Sequence, residues 1–259
     1  MNTNSNSYTI IYASVMVIIV AFLLAFVSST LKPRQDVNVA VDKKNQILAS
    51  LNIRGIKDNE QIESKYSEVI VCDPIIKADG AVVNDGAGKD KAAFVLDSKD
   101  VNDENMPLYI ANVEGATKYV IPVTGRGLWG GLWGYIALDE DCQTVFGAYM
   151  SHTSETAGLG ALLVEPWFQQ RFIGKKVFNG DDVALTVVKA GAVKEADYEV
   201  DGITGATLTT NGVAAMVKDG LKKYIGFINT TTAAQQAACE AACEETPCEE
   251  AQDSEKTEE

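Results

Sequence analysis

Residues 2 to 31 contain no charged side chain, and from Tyr8 to Leu31 the run is filled by Ile10, Ile11, Val15, Met16, Val17, Ile18, Ile19, Val20, Phe22, Leu23, Leu24, Phe26 and Val27. Coiled as a helix, residues 8–31 reach ~36 Å at about 1.5 Å per residue. That exceeds the roughly 30 Å hydrocarbon core of a bilayer. The segment is therefore expected to span a membrane once, with some tilt and in contact with lipid, and to end at Lys32 and Arg34. A cleaved signal peptide would carry basic residues ahead of a shorter apolar run; here there are none before the span. Lys32, Arg34, Lys43 and Lys44 all follow it. By the positive-inside rule they place the remainder of the chain in the cytoplasm, although that rule is weak for one span followed by a large domain.

The remainder divides in two. Residues 36–228 carry enough apolar sequence for a packed core. Residues 229–259 are rich in Thr, Ala and Glu; from Glu240 onward there are nine acidic residues against the single Lys256. That composition buries too little apolar surface to fold alone, so an acidic, disordered tail is expected. A net charge of −14 speaks against nucleic acid, whose phosphates require a positive surface. The chain has one histidine, which excludes a His-rich metal site. Cys239, Cys243 and Cys248 in the tail form no standard metal-ligand set, so no metal is expected. Cys72 and Cys142 are read as buried rather than paired.

Along residues 36–228 the pattern alternates between strands and helices. Helices are expected over Asp36–Leu51, Asp58–Tyr66 and Glu165–Ile173, the last with Pro166 in its first turn. Strands are expected over Glu68–Cys72, Ala92–Leu96, Leu108–Ile110, Tyr119–Val123, Tyr135–Leu138, Thr144–Met150 and Val183–Lys189. The fold class that follows is α+β: antiparallel strands with flanking helices, behind one N-terminal transmembrane helix.

Three segments carry chemistry. The first is Asp201-Gly202-Ile203-Thr204-Gly205-Ala206-Thr207, where two glycines and an alanine let the backbone turn sharply and lie against a flat ligand. After it Val213, Met216, Val217, Leu221, Tyr224 and Ile225 recur at helical spacing. The segment thus opens a helix, whose free N–H groups and dipole favour a phosphate, and Thr207 places a hydroxyl there. The second is Gly125-Arg126-Gly127-Leu128-Trp129-Gly130-Gly131-Leu132-Trp133-Gly134, in which Leu128 and Trp129 offer apolar faces to a ligand. Trp133 reads as core and Arg126 as an ordinary surface residue. The third is His152-Thr153-Ser154-Glu155-Thr156-Ala157-Gly158-Leu159-Gly160. His152 and Glu155 suggest an acid–base pair, but His152 reads more simply as a hydrogen-bonded loop residue, and no catalytic residue is expected.

At these three segments the sequence resembles the covalent FMN-binding domain family. Asp-Gly-x-Thr-Gly-Ala-Thr is similar to that family's flavinylation motif, where a flavin transferase joins FMN through its phosphate to the last threonine, here Thr207. The third segment resembles the family's His-x-x-Glu-Thr-Pro-Gly-Leu-Gly, with Ala157 in place of proline. The resemblance implies that this loop lies along the flavin, with Thr156, Gly158 and Leu159 nearest, and that Asp201 fixes the motif or is read by the transferase. Together with the anchor, the pattern resembles the NqrC family of sodium-translocating NADH:quinone oxidoreductases. That resemblance implies an inner-membrane protein with its domain on the periplasmic side. It also implies a flavin that relays electrons between an iron–sulfur centre and another subunit's flavin. No dinucleotide fingerprint or iron–sulfur cysteine cluster appears in the folded part, so NADH oxidation, quinone reduction and sodium transport fall to partner subunits. The homologous flavin-carrying RnfG component of the Rnf ferredoxin:NAD oxidoreductase complex shares the domain and the flavin link, and a non-enzymatic anchored binding module remains open on sequence grounds.

Overall fold

A computed structural model describes residues 6–86, 92–96, 99–180 and 182–232. The first element is one long helix, α1 (Asn6–Ser50), of 45 residues. It joins the apolar run and the following helix that the sequence presents separately. Its apolar N-terminal window is wholly unburied, as a lipid-facing segment requires. Pro33 lies inside it and removes one backbone donor, yet the helix runs on. Burial begins at Val41 and continues through Lys44, Ile47 and Leu48, whereas Val37 stands 61% exposed. About 67 Å of helix therefore joins the apolar segment to the domain without a break.

The other elements follow in chain order: α2 (Asn59–Val69), β1 (Ile70–Cys72), β2 (Ile75–Ile76), β3 (Val82–Asn84), β4 (Met106–Pro107), β5 (Tyr109–Val113), β6 (Ala116–Arg126), β7 (Gly131–Leu138) and β8 (Val145–His152). A 3-10 turn (Gly160–Val164), the short α3 (Pro166–Gln169) and a second 3-10 turn (Gln170–Phe172) come next. The chain then forms β9 (Phe178–Asn179), β10 (Asp182–Val183), β11 (Thr186–Val188), β12 (Glu199–Asp201) and α4 (Thr207–Lys223). Residues 225–232 are again helical. The body is a five-stranded antiparallel sheet in the order β1-β5-β6-β7-β8. One short parallel pair, β11 with β12, leads into the Gly-rich motif.

Period-2 alternation sorts the sheet's side chains onto two cores. Ile121, Val123, Leu132, Ile136, Ala148 and Met150 face α4 and the 160–172 turns, where Val213, Met216, Val217, Phe168 and Phe172 meet them. Val120, Tyr109, Ala111, Tyr135 and Ala137 face the other way, onto Ile47, Leu48, Ile62 and Tyr66 of α1 and α2. Both faces are thus covered by helices.

Three regions depart from expectation. The strand expected over Val183–Lys189 is split into β10 and β11, which pair with different strands, β9 and β12. Residues 92–96 form a turn instead of a strand. The buried Asp73 carboxylate accepts the N–H groups of Ala92 and Phe94 at 3.3 and 2.9 Å, which removes them from any ladder. The helix expected over Glu165–Ile173 is α-helical only over α3 and tightens into a 3-10 turn, where the Ile173 N–H bonds the Gln170 carbonyl; the buried Gln169 side chain donates to the Met150, Leu163 and Val164 carbonyls. In the tail, residues 229–232 are helical, and residues 233–259, with Cys239, Cys243 and Cys248, lie outside the described residues. Cys72 is half-buried and Cys142 buried, both as free thiols; burial and the nearby Asp141 push the Cys142 thiol up to about 12.

α4 packs against β6 at backbone distance. A Cβ on Gly212 would sit 2.5 Å from the Arg126 carbonyl oxygen and 3.2 Å from Gly127 Cα. Neither atom is the end of a flexible side chain. Gly212→Val should therefore lower the melting temperature of the full chain, by the equivalent of about 1–3 kcal/mol for overpacking. An unchanged thermal unfolding midpoint would contradict this account of the helix–sheet contact.

Candidate functional site

The Gly-rich motif follows β12 and ends where α4 begins. Gly205 has φ +79°, a left-handed conformation open to glycine at little cost. It turns the chain so that Ala206, buried, becomes the helix N-cap and Thr207 the first helical residue. No side chain caps this helix, and its first turn has no acidic residue. The N–H groups of Thr207, Leu208 and Thr209 precede the first intrahelical bond, from Thr210 to Ala206, and so face outward with the positive end of the dipole. Thr207 is exposed.

These groups open onto a cleft of about 180 Å³ lined by Leu128, Glu155, Thr156, Leu159, Gly160, Gly205, Ala206, Thr207, Leu208 and Thr209. All three segments singled out in the sequence contribute to it. Its volume is below the roughly 300 Å³ typical of enclosed ligand pockets, so a flavin-sized ligand would be held against an open face. That face is apolar: Leu128, Trp129, Leu159 and Leu208 are 47, 68, 42 and 60% exposed. A larger cavity, of about 450 Å³, lies between the β6 edge and the C-terminal part of α4. It contains none of the predicted site residues and lacks the helix N-terminus that would hold a phosphate.

Glu155 fastens the cleft from below. It is 7% exposed. One carboxylate oxygen accepts the Trp129 N–H at 2.9 Å, and the other accepts the Thr209 hydroxyl at 2.6 Å. The Glu155 N–H donates to His152 Nδ1 at 3.1 Å, so His152 serves as a hydrogen-bonded loop residue. Close backbone approach makes room for the carboxylate: a Cβ on Gly127 would fall 2.4 Å from Oε1. Burial alone would push the Glu155 carboxyl up. Hydrogen bonds from Thr209, Trp129 and Gly130 and the proximity of His152 outweigh it and hold the group below its ordinary range. Glu155 thereby supplies, from another loop, the negative charge that the first turn of α4 lacks.

Asp201 lies away from the cleft. One of its carboxylate oxygens accepts the Gly191 N–H at 2.7 Å and the other faces Arg171 at 3.4 Å. Arg171 also donates to the Asp201 and Gly202 carbonyls and stacks over Trp167. Asp201 therefore anchors the start of the motif. Gly202 is buried and Thr204 exposed, and neither lines the cleft; nor do Gly158 and Trp129, both exposed at its rim. Trp133 is half-buried, its indole N–H donating to Gln46 of α1 at 3.1 Å. The sequence reading missed Gly160, Leu208 and Thr209 as lining residues. Leu208 had a visible signal, an apolar side chain at the second position of a helix outside its buried stripe. Thr209 had none, since its role depends on a carboxylate 54 positions away. Among the described residues no cluster of His, Cys, Asp and Glu is built to hold a metal.

Residues 127–222 match the FMN-binding domain family, and Thr207 and every residue lining the cleft lie within that stretch. The C subunit of the Na(+)-translocating NADH-quinone reductase of Haemophilus ducreyi is 31% identical over 255 residues, covering 90% of this chain and 98% of that protein. Its counterpart from Neisseria meningitidis serogroup A is 28% identical and covers 87% of this chain and 94% of that protein. The crystal structure of the same subunit from Parabacteroides distasonis is 37% identical and superposes with a TM-score of 0.69, over 76% of this chain and 96% of that one. Shewanella oneidensis NqrC, at 21% identity, shares the fold with a TM-score of 0.62 over 75% of this chain and 98% of that one. The chain belongs to the NqrC family, the C subunits of Na(+)-translocating NADH-quinone reductases.

The lowered Glu155 ionisation has a measurable consequence. A carboxyl whose folded value is depressed stabilises the fold above its unfolded value, about 4.3 for glutamate, and this contribution disappears as pH falls through the folded value. Thermal melts of wild type and Glu155→Gln should therefore show a stability difference in favour of wild type that is constant at neutral pH and shrinks below pH ~4. A difference independent of pH down to 3 would contradict an ionised Glu155.

Proposed function

We propose that this chain carries FMN bound covalently through its phosphate to the Thr207 hydroxyl and serves as an electron-transfer subunit of a sodium-translocating NADH:quinone oxidoreductase. The observation that carries this reading is the position of Thr207: exposed, first in α4, among unbonded N–H groups, in a cleft with apolar walls. The residues fit the group. The N–H groups of residues 207–209 suit a phosphodiester. Leu128, Leu159 and Leu208 suit the flat face of an isoalloxazine, and Thr156 suits its polar edge. When bound, the flavin would supply the redox chemistry, on this reading linking an iron–sulfur centre to a flavin on another subunit.

What the chain itself contributes is attachment and placement. A flavin transferase is needed because a hydroxyl displaces only an activated phosphate. The Thr207 oxygen bonds to phosphorus of a flavin phosphoanhydride, the hydroxyl proton is lost, and the donor's outer phosphate leaves with the bonding pair. Asp201, held by Arg171 and Gly191, keeps the motif in register for that enzyme. The anchor α1 holds the domain beside its redox partners at high effective concentration. The domain is assigned to the periplasmic side of the inner membrane, where a tether prevents loss of a cofactor that is not resupplied; the basic residues after the span do not override a large translocated domain.

Co-production with a flavin transferase should give wild-type protein heavier by one FMN less one water, with Thr207→Ser retaining the adduct and Thr207→Ala lacking it. Unmodified wild type, or a full adduct on Thr207→Ala, would overturn the assignment.

A further inference from the structure

Reduction adds negative charge to a bound flavin, so a fixed charge beside the cleft alters how readily an electron is accepted. Glu155 is the acidic residue lining that cleft. Its carboxylate is buried and reaches Thr209, two positions beyond Thr207, at 2.6 Å. Three donors surround it: the Trp129 and Gly130 N–H groups from the β6–β7 hairpin and the Thr209 hydroxyl from α4. The other titratable side chain beside it among the described residues is His152, at the end of β8, whose Nδ1 accepts the Glu155 N–H. The hairpin and the helix bring neutral dipoles only. Three donors occupy most of a carboxylate's hydrogen-bonding capacity but do not cancel its full charge, and a charge largely shielded from solvent acts at longer range than a fully solvated one.

We propose that Glu155 is a positioning and tuning residue that lowers the midpoint potential of the flavin held at Thr207. This rests on the reading of Thr207 as the flavin attachment point. The same carboxylate fixes the two loops and the helix start relative to one another, so position and potential are set by one group. Its effect opposes that of the α4 dipole, which favours added negative charge at its N-terminus. The helix dipole and the carboxylate therefore act on the reduced flavin in opposite directions.

The test is a dithionite titration of full-length, flavin-loaded protein in detergent, with mass spectrometry confirming one FMN per chain. Glu155→Gln removes the charge and keeps both hydrogen-bonding positions, since the Thr209 hydroxyl can turn to accept from the amide. It should raise the midpoint potential by the equivalent of roughly a tenfold change in the equilibrium constant for electron uptake, about 59 mV for a one-electron couple. Thr209→Val keeps the charge but removes one donor, and it should leave the potential unchanged or lower it. A purely structural role would move both variants in the same direction. A loaded Glu155→Gln protein with an unchanged or lowered potential overturns the proposal while leaving the flavin assignment intact. If Glu155→Gln does not load, Thr209→Val decides: a raised potential overturns the proposal. Wild type without FMN defeats the underlying assignment instead.

Discussion

The carboxylate of Glu155 is the interaction on which the site depends. Taking a carboxylate out of water costs several kcal/mol unless donors replace the lost solvation, and here one hairpin and one helix each provide part of that replacement to a carboxylate carried by a second loop. The donors come from positions 129, 130 and 209, so the bonds can form only when the hairpin, the 153–160 loop and the start of α4 are all in place. The cleft is therefore a product of tertiary assembly. Each of the three loops alone would be an ordinary Gly-rich turn, and together they present apolar walls, outward N–H groups and one exposed hydroxyl.

The sheet makes that assembly rigid. Its two faces are packed against different helices, with α4 pressed on β6 and with α1 and α2 on the opposite side. The long α1 also reaches the functional end of the molecule through polar contacts, Gln46 to the Trp133 indole and, just beyond the helix, Arg54 to the buried Gln169 and to the Ala148 carbonyl. Gln169 in turn holds the 3-10 segment that follows the 153–160 loop. A continuous path of packed backbone and hydrogen bonds thus runs from the bilayer helix to the cleft. On the proposed reading of the chain as a carrier that works between membrane partners, an unbroken helix is a better mount than a flexible linker.

Much of this was legible in the sequence because it depends on local pattern. The apolar span, the alternation in β6, β7 and β8, and the stripe on α4 are read from spacing alone, and the Gly-rich motif announces a turn into a helix. What escaped depends on distant partners. Residues 92–96 have strand composition, but Asp73 captures their N–H groups. The helix around Trp167 tightens into a 3-10 turn at Gln170, and the Gln169 side chain there is held by the carbonyl of Met150 on β8, a distant partner. The glycines of the 125–134 segment allow close backbone approach, but the sequence does not say of what. In the structure Gly127 adjoins Glu155 and Gly212 of α4, so the protein's own parts occupy that space. Glu155 itself could be singled out from its motif, but its bond to Thr209 follows only from the fold.

The central claim is that the hydroxyl at the mouth of α4 is where a flavin nucleotide is attached, and peptide mapping of protein purified from its native membrane tests it most directly. Cleavage after lysine releases residues 195–218 as one peptide. The account predicts that this peptide carries the flavin fluorescence and a phosphoester that fragmentation assigns to Thr207. Recovery of the peptide unmodified, with the flavin released on denaturation or bound elsewhere in the chain, would contradict it.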